Sequence, residues 1–277
     1  VLDADVHEFF DTIDHGWMQR FIEHRIGDKR LVRLLMKWLH AGVMEEGKVY
    51  DTEQGTPQGG NISPLLANVY LHYVVDLWAQ AWRKRHARGE VYVVRYADDL
   101  VVGFQYETDA RAMKKALAER LAKFELQLHP DKTRVLRFGR VAQSDCTRDG
   151  RKRPETFDFL GFTHYCAMNK KGHFFIMRKT QGTRMIRKLK ELRIEARRRM
   201  HWSLKKQQRW LSAVLRGHYA YYGYLGNSRA LSNFAYEVHK LWFRALCRRS
   251  QKNAITWERF NLLLKVFPLP VPRIVRT

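Results

Sequence analysis

Residues 91–104 read VYVVRYADDLVVGF. Two β-rich runs, 91–96 and 100–104, flank Ala97-Asp98-Asp99, and this pattern predicts a hairpin with adjacent carboxylates at its turn. By itself an Asp-Asp turn has a plain explanation, because Asp favours turns by bonding its own backbone. It gains chemical meaning when another acid reaches the same end of the sheet. Residues 1–14, VLDADVHEFFDTID, supply one. Residues 1–6 predict a strand, alternation puts Asp3 and Asp5 on one face of it, and Asp5 lies at its end. Nucleotidyl transfer needs such convergence: two hard cations held by carboxylates from different strands, one serving the attacking hydroxyl and one the leaving phosphates.

The rest of the chain predicts an α+β part followed by a nearly all-α part. Residues 16–42 carry a helical face (Leu31, Leu34, Leu35, Trp38, Leu39), and 47–54 read as a short strand pair. A helix is expected over 63–85, with Ser63 as N-cap and Pro64 at the first helical position. Another is expected over 108–128, capped by Thr108, and short strands near 134–138 and 157–162. Helices follow over 183–200, 205–224, 228–249 and 256–265, then a Pro-rich extended tail. The polar stretch 140–154 is the expected boundary between the two parts.

Charge sharpens that division. The 277 residues carry a net charge of +23, yet residues 1–150 hold 22 Lys and Arg against 22 acids, and residues 151–277 hold 29 against 6. An uncompensated excess of this size repels itself unless a polyanion neutralises it, which points to nucleic acid. No run approaches the ~20 apolar residues of a membrane span. Cys146, Cys166 and Cys247 lie far apart without metal-binding spacing, and read as reduced thiols in a cytosol-like compartment.

In order along the chain stand VLDADVHEFFDTID, QGTPQGGNISPLLANVYL, RYADDLVV, LHPDKT and FDFLGF. This series resembles reverse transcriptases, and among them the proteins encoded by group II introns. The resemblance implies a right-hand polymerase palm over 1–145, with an antiparallel sheet and packed helices. It implies a primer-grip hairpin and connector over 146–182 and an all-α basic thumb or maturase domain over 183–277. The implied activity is RNA-directed DNA polymerisation by two Mg2+ ions in intron mobility, coupled to intron RNA binding and splicing assistance. The implied partners are intron RNA as template, a DNA primer or target, and dNTPs, in a bacterial cytosol or organelle matrix. Two alternatives stand beside it: a maturase acting mainly as an RNA-binding splicing cofactor, and a reverse transcriptase of a retron or phage-defence system.

The resemblance also assigns residues. Asp5, Asp98 and Asp99 would bind metal, with the Val6 carbonyl as a further ligand. Asp3 shares the face of Asp5 without being a ligand, and Asp11 and Asp14 read as local caps. Phe10 would stack under the incoming sugar and exclude a 2′-OH; a core role for Phe10 is the alternative, since Phe9 is adjacent. Gln58 would bond the substrate in a loop where Gly59 and Gly60 let backbone approach closely. Lys132 would protonate departing pyrophosphate, and Phe159, Leu160 and Gly161 would form the primer grip. In the second half, Arg197, Arg198, Arg199, Lys205, Lys206, Arg209, Arg216, Arg248 and Arg249 are the residues expected to meet phosphate. Most of the interleaved aromatics (Trp210, His218, Tyr219, Tyr221, Tyr222) should face a core. The chain begins within the first motif of the series and has no C-terminal Cys-pair endonuclease motif. The 277 residues alone are therefore expected to bind RNA without polymerising.

Overall fold

The computed structural model describes residues 1–40, 43–45, 48–50, 55, 62–249 and 255–276. It is α+β with antiparallel sheets and divides into two compact units, Val1–Arg137 and Phe138–Thr277.

In the first unit β1 (Leu2–Ala4) leads into helices α1 (His15–Glu23) and α2 (Lys29–His40) and the antiparallel pair β2 (Val43–Glu45) and β3 (Lys48–Tyr50). Helices α3 (Ser63–Leu71) and α4 (Leu77–Arg85) are joined through a π-helical turn, His72–Asp76. The hairpin β4 (Val91–Tyr96) and β5 (Asp99–Phe104), helix α5 (Glu107–Ala122) and β6 (Arg134–Val135) complete it. The sheet order is β4-β5-β1-β6. Alternation does what the sequence predicts: Leu2, Ala4, Leu100 and Val102 are buried in one core with Tyr70, Leu71, Met113 and Leu117. Burying each large apolar side chain is worth about 1.5–3 kcal/mol. Asp3 and Asp5 take the opposite face of β1.

Several boundaries move for local reasons. The expected helical stretch 16–42 holds two helices, and the described strands of the pair are Val43–Glu45 and Lys48–Tyr50, where 47–54 was expected. Ser63 is not a cap: Ile62 precedes the helix without a side-chain bond, and Ser63 is buried inside it. Helix α5 starts one residue before Thr108, with Tyr106 at its N-cap. It ends at Ala122 rather than 128, because Glu125 turns the chain with φ 58°. Asp14 does cap α1, accepting from the Trp17 N–H at 2.7 Å.

The second unit starts with α6 (Ala142–Arg148), then an antiparallel sheet of β7 (Phe157–Phe159), β8 (Phe162–Met168) and β9 (Phe174–Thr180). Four helices follow: α7 (Gly182–Arg198), α8 (Leu204–Tyr222), α9 (Ser228–Cys247) and α10 (Trp257–Val266). The boundary falls ahead of 140–154 because that polar stretch is folded into the second unit. Gly139 meets the Cys166 thiol of β8 through both its N–H and its carbonyl, and Cys146 is buried with its thiol donating to the Arg151 carbonyl at 3.2 Å. The helical core centres on Leu215, Phe234, Val238, Trp242 and Phe260. Buried Gln207 closes the turn between α7 and α8, donating to the carbonyls of Arg199, Met200 and Trp202 and accepting from the Trp242 indole at 2.8 Å. Among the described residues no helix is long and apolar enough to cross a membrane.

Candidate active site and basic helices

The strand register brings the predicted acids together. Ala4 pairs with Leu100 across β1 and β5, so the next rung sets Asp5 against Asp99. Tyr96 pairs with Asp99 across the hairpin, which leaves a two-residue turn, Ala97-Asp98. Ala97 takes the left-handed conformation there, with φ 53°. That conformation is uncommon for a residue with a side chain and must be held by its surroundings.

Arg95 holds it. Its guanidinium donates to the Ala97 carbonyl at 2.9 Å, grips both carboxylate oxygens of Asp76 at 2.6 Å, and reaches the Asn68 side chain at 3.0 Å. A bidentate Arg–carboxylate pair fixes orientation as well as charge. Sequence reasoning named neither Arg95 nor Asp76. The available signal was an Arg directly before the YADD turn, facing an acid in the preceding helix.

Lys132 joins the acids. Its ammonium donates to an Asp5 carboxylate oxygen at 2.7 Å. That hydrogen bond first, then the charges of Asp5, Asp98 and Asp99, hold the Lys132 pKa above its ordinary value. Among the described residues, however, no group of three or more His, Cys, Asp and Glu side chains stands close enough together to hold a metal ion. The donor set itself, three carboxylates, suits a hard cation such as Mg2+.

Val6 bridges Leu128, and the ladder bonds flank it: His129 N–H donates to Asp5 and His7 N–H to Gln127, both at 2.8 Å. The Val6 carbonyl thus points away from that ladder, as in any non-hydrogen-bonded antiparallel pair. Asp3 is ion-paired with Arg134 at 3.5 Å, in keeping with a role other than ligand. Asp11 lies within a 3-10 turn, Phe9–Asp11, rather than capping a helix.

The same turn separates the two phenylalanines. Phe9 is 2% exposed and packs in the core, while Phe10 is half-buried at the core's edge, its ring 5.4 Å from that of Phe9. Gly55, the described residue of the QGTPQGG stretch, sits directly on this segment. It has φ 85°, donates to the Ile13 carbonyl at 2.9 Å, and a Cβ there would meet the Phe10 carbonyl at 2.8 Å. Buried His15 clasps the Gly55 carbonyl at 2.7 Å. Gln58, Gly59 and Gly60 lie outside the described residues.

In the second unit Phe159, Leu160 and Gly161 form a tight turn between β7 and β8, with φ 51° at Leu160 and 77° at Gly161. Tyr221 donates to the Leu160 carbonyl at 2.9 Å, and a Cβ on Gly161 would meet the Tyr222 hydroxyl at 2.9 Å. The aromatics of α8 are thus engaged within the fold. Tyr219 is 2% exposed, His218 stacks on Phe234 with centroids 3.6 Å apart, and Trp210 lies against the Arg199 guanidinium.

The basic clusters divide. Arg198 and Arg199 pair with Glu195 at 3.0 and 2.8 Å, and Arg249 donates to the carbonyls of Met200 and Trp202. Arg197, Lys205, Lys206, Arg209, Arg216 and Arg248 are exposed.

Comparison with known proteins adds an independent line. A family model described as reverse transcriptase (RNA-dependent DNA polymerase) matches residues 1–164. The group II intron-encoded protein LtrA of Lactococcus lactis subsp. cremoris is 44% identical over 71 residues, 26% of this chain and 12% of that protein. Protein YkfC of Escherichia coli K12 is 31% identical over 166 residues, 49% of this chain and 42% of that one. The chain therefore spans much less than two thirds of either relative. Among solved structures, apo telomerase from Candida tropicalis superposes with a TM-score of 0.47 at 14% identity, covering 96% of this chain and 45% of that one.

Proposed function

The chain belongs to the reverse-transcriptase family of RNA-dependent DNA polymerases, and from that premise we propose that it copies RNA into DNA for a group II intron while gripping the intron RNA through its second unit. The observation that supports the reading is the strand register that sets Asp5 against Asp99 beside the Asp98 turn, with the Lys132 ammonium on Asp5 at 2.7 Å. A protein that only bound RNA would have no use for three acids at one end of a sheet, which favours polymerisation over a purely splicing role.

Asp5, Asp98 and Asp99, with the Val6 carbonyl, would hold two Mg2+ ions. When bound, those ions activate the primer 3′-hydroxyl and neutralise the leaving phosphates. The chain's own groups do the remaining work. Arg95 and Asp76 keep the Asp98 turn in shape before substrate arrives. Lys132 would hand a proton to departing pyrophosphate. Phe10 would close the space at the sugar's 2′ position, Gln58 and Gly59 would seat the nucleotide, and the turn Phe159–Leu160–Gly161 would hold the primer end. RNA template, DNA primer and dNTPs are the substrates on this reading, and splicing assistance follows from RNA gripping.

The test is primer extension on an RNA template by full-length protein carrying Asp98→Asn. Extension should fall at least about a hundredfold with the melting temperature unchanged, since a ligand charge is lost from a site worth several kcal/mol. Activity within tenfold of the parent would overturn the assignment.

A further inference from the structure

In the second unit α7 and α9 pack against each other, and a cleft of about 310 Å³ opens between them. Four arginines line it: Arg193 and Arg197 from α7, Arg244 and Arg248 from α9. Each pair is spaced i, i+4, so each lies on one helical face and each repels itself. Ala196 and Ala245 lie among them, and such small side chains leave the space between the guanidiniums open.

The acids that could relieve this repulsion are engaged elsewhere. Helices α7 and α9 contain three: Glu191, Glu195 and Glu237. Glu191 pairs with Lys188, Glu195 with Arg198 and Arg199, and Glu237 with Lys240. Among the described residues no carboxylate is paired with any of the four cleft arginines. Four arginines that line one cleft, while the acids of its two helices pair elsewhere, suit anionic oxygens supplied from outside.

We propose that Arg193, Arg197, Arg244 and Arg248 form a phosphate clamp that takes successive backbone phosphates of one bound nucleic-acid strand. Guanidiniums match phosphate by paired N–H bonds, which lysines would not. Two guanidiniums per helix, one turn apart, suit a linear run of phosphates better than a single anion. The proposal deepens the reading of the second unit as an RNA-gripping element and rests on it. It also departs from the sequence clusters: Arg193 and Arg244 replace Arg199 and Arg249, whose guanidiniums are tied within the fold, and Arg198, whose exposed guanidinium pairs with Glu195.

Anisotropy titrations with a labelled 20-nucleotide single-stranded RNA, over a salt series, test it. Three forms are compared: the unmodified protein, Arg193→Gln/Arg244→Gln, and Lys170→Gln/Lys171→Gln, which removes the same charge from the exposed β8–β9 turn. The cleft variant should lower the log–log salt slope by about 1.4–1.8, the share of two neutralised phosphates, and bind at least fivefold more weakly at moderate salt. The turn variant should change less than twofold. Because the cleft substitutions relieve repulsion, their melting temperature should hold or rise. Cys247 lines the same cleft and gives a second readout: RNA should slow its alkylation, followed by mass spectrometry, while millimolar pyrophosphate should not. Equal weakening in both variants would overturn the clamp, leaving a diffuse basic surface. Protection of Cys247 by pyrophosphate but not by RNA would overturn the strand assignment in favour of a free polyphosphate. Failure of the unmodified protein to bind RNA at all would strike the functional reading itself, separately from either result.

Discussion

At the scale of single residues, two neighbours of like chemistry have parted roles. Phe9 is core and Phe10 stands at the edge, held from behind by the close approach of Gly55. Nothing in FF says which ring goes inward; that is decided by the 3-10 turn, whose tighter winding separates adjacent side chains by about 120°. If Phe10 is the sugar-sensing ring, Phe10→Val in full-length protein should raise ribonucleotide incorporation relative to deoxyribonucleotide by tenfold or more with little loss of stability. Paired measurements of kcat/KM for the two nucleotides check it, and an unchanged ratio makes Phe10 a packing residue. The acids were legible in sequence because their chemistry and spacing are local. Arg95 was not, because its importance lies in a partner, Asp76, nineteen positions earlier on another element.

Elements show a second kind of hidden information. The π-helical turn at His72–Asp76 interrupts what periodicity reads as one helix. Its widened winding leaves the carbonyls of Tyr73 and Val74 to the Arg120 side chain, which donates to them at 3.1 and 3.0 Å and covers the Phe124 ring. Arg120→Ala should strip both carbonyls of their donor and cost about 2–3 kcal/mol, measured as a shift in urea midpoint at constant slope. A smaller effect than about 1 kcal/mol would mean that water replaces the guanidinium. The helices of the second unit carry a pH dependence as well. His218 is half-buried, stacked on Phe234 with Lys188 near, and desolvation first, then that charge, depress its pKa to about 4. The unfolded chain therefore takes up a proton below about pH 6.5 that the folded chain refuses, so this stability is present above that pH and lost as pH falls toward 4. The loss is at most about 3 kcal/mol. His218→Phe should flatten the difference between denaturation at about pH 7 and about pH 4.5; an identical difference in both proteins would assign the acid sensitivity to the carboxylates instead. The longer helices were readable from apolar spacing, but α6, inside the polar stretch 140–154 read as a boundary, was not. The long hairpin of β8 and β9 was not, since HYCAMNKKGHFFIMRKT mixes charge and apolar residues without the clean alternation that marks a half-buried strand.

For the whole molecule, the division of charge is the property most plainly written in the sequence, and the proposed division of labour rests on it. Asp98→Ala with Asp99→Ala should abolish cDNA synthesis in full-length protein while RNA affinity and protein-assisted splicing persist. Lys205→Gln, Lys206→Gln and Arg209→Gln together should instead lower the salt slope of RNA binding by about 0.7–0.9 for each phosphate no longer neutralised, with splicing weakened and primer extension rescued at saturating template. Loss of splicing in the folded double-Asp variant would show that both activities share one site. What composition could not tell is which cations face outward, because that depends on whether a glutamate one turn away has claimed them. The sheet's rung-by-rung alignment has a consequence of its own. The acids meet because Ala97-Asp98 spans the hairpin with two residues and no more. One codon gained there would slide β5 by a position against β4 and turn Asp99 to the opposite face, with every acid still present in the chain. Decayed copies of such a gene would be recognised by the length of that turn as readily as by the loss of an aspartate.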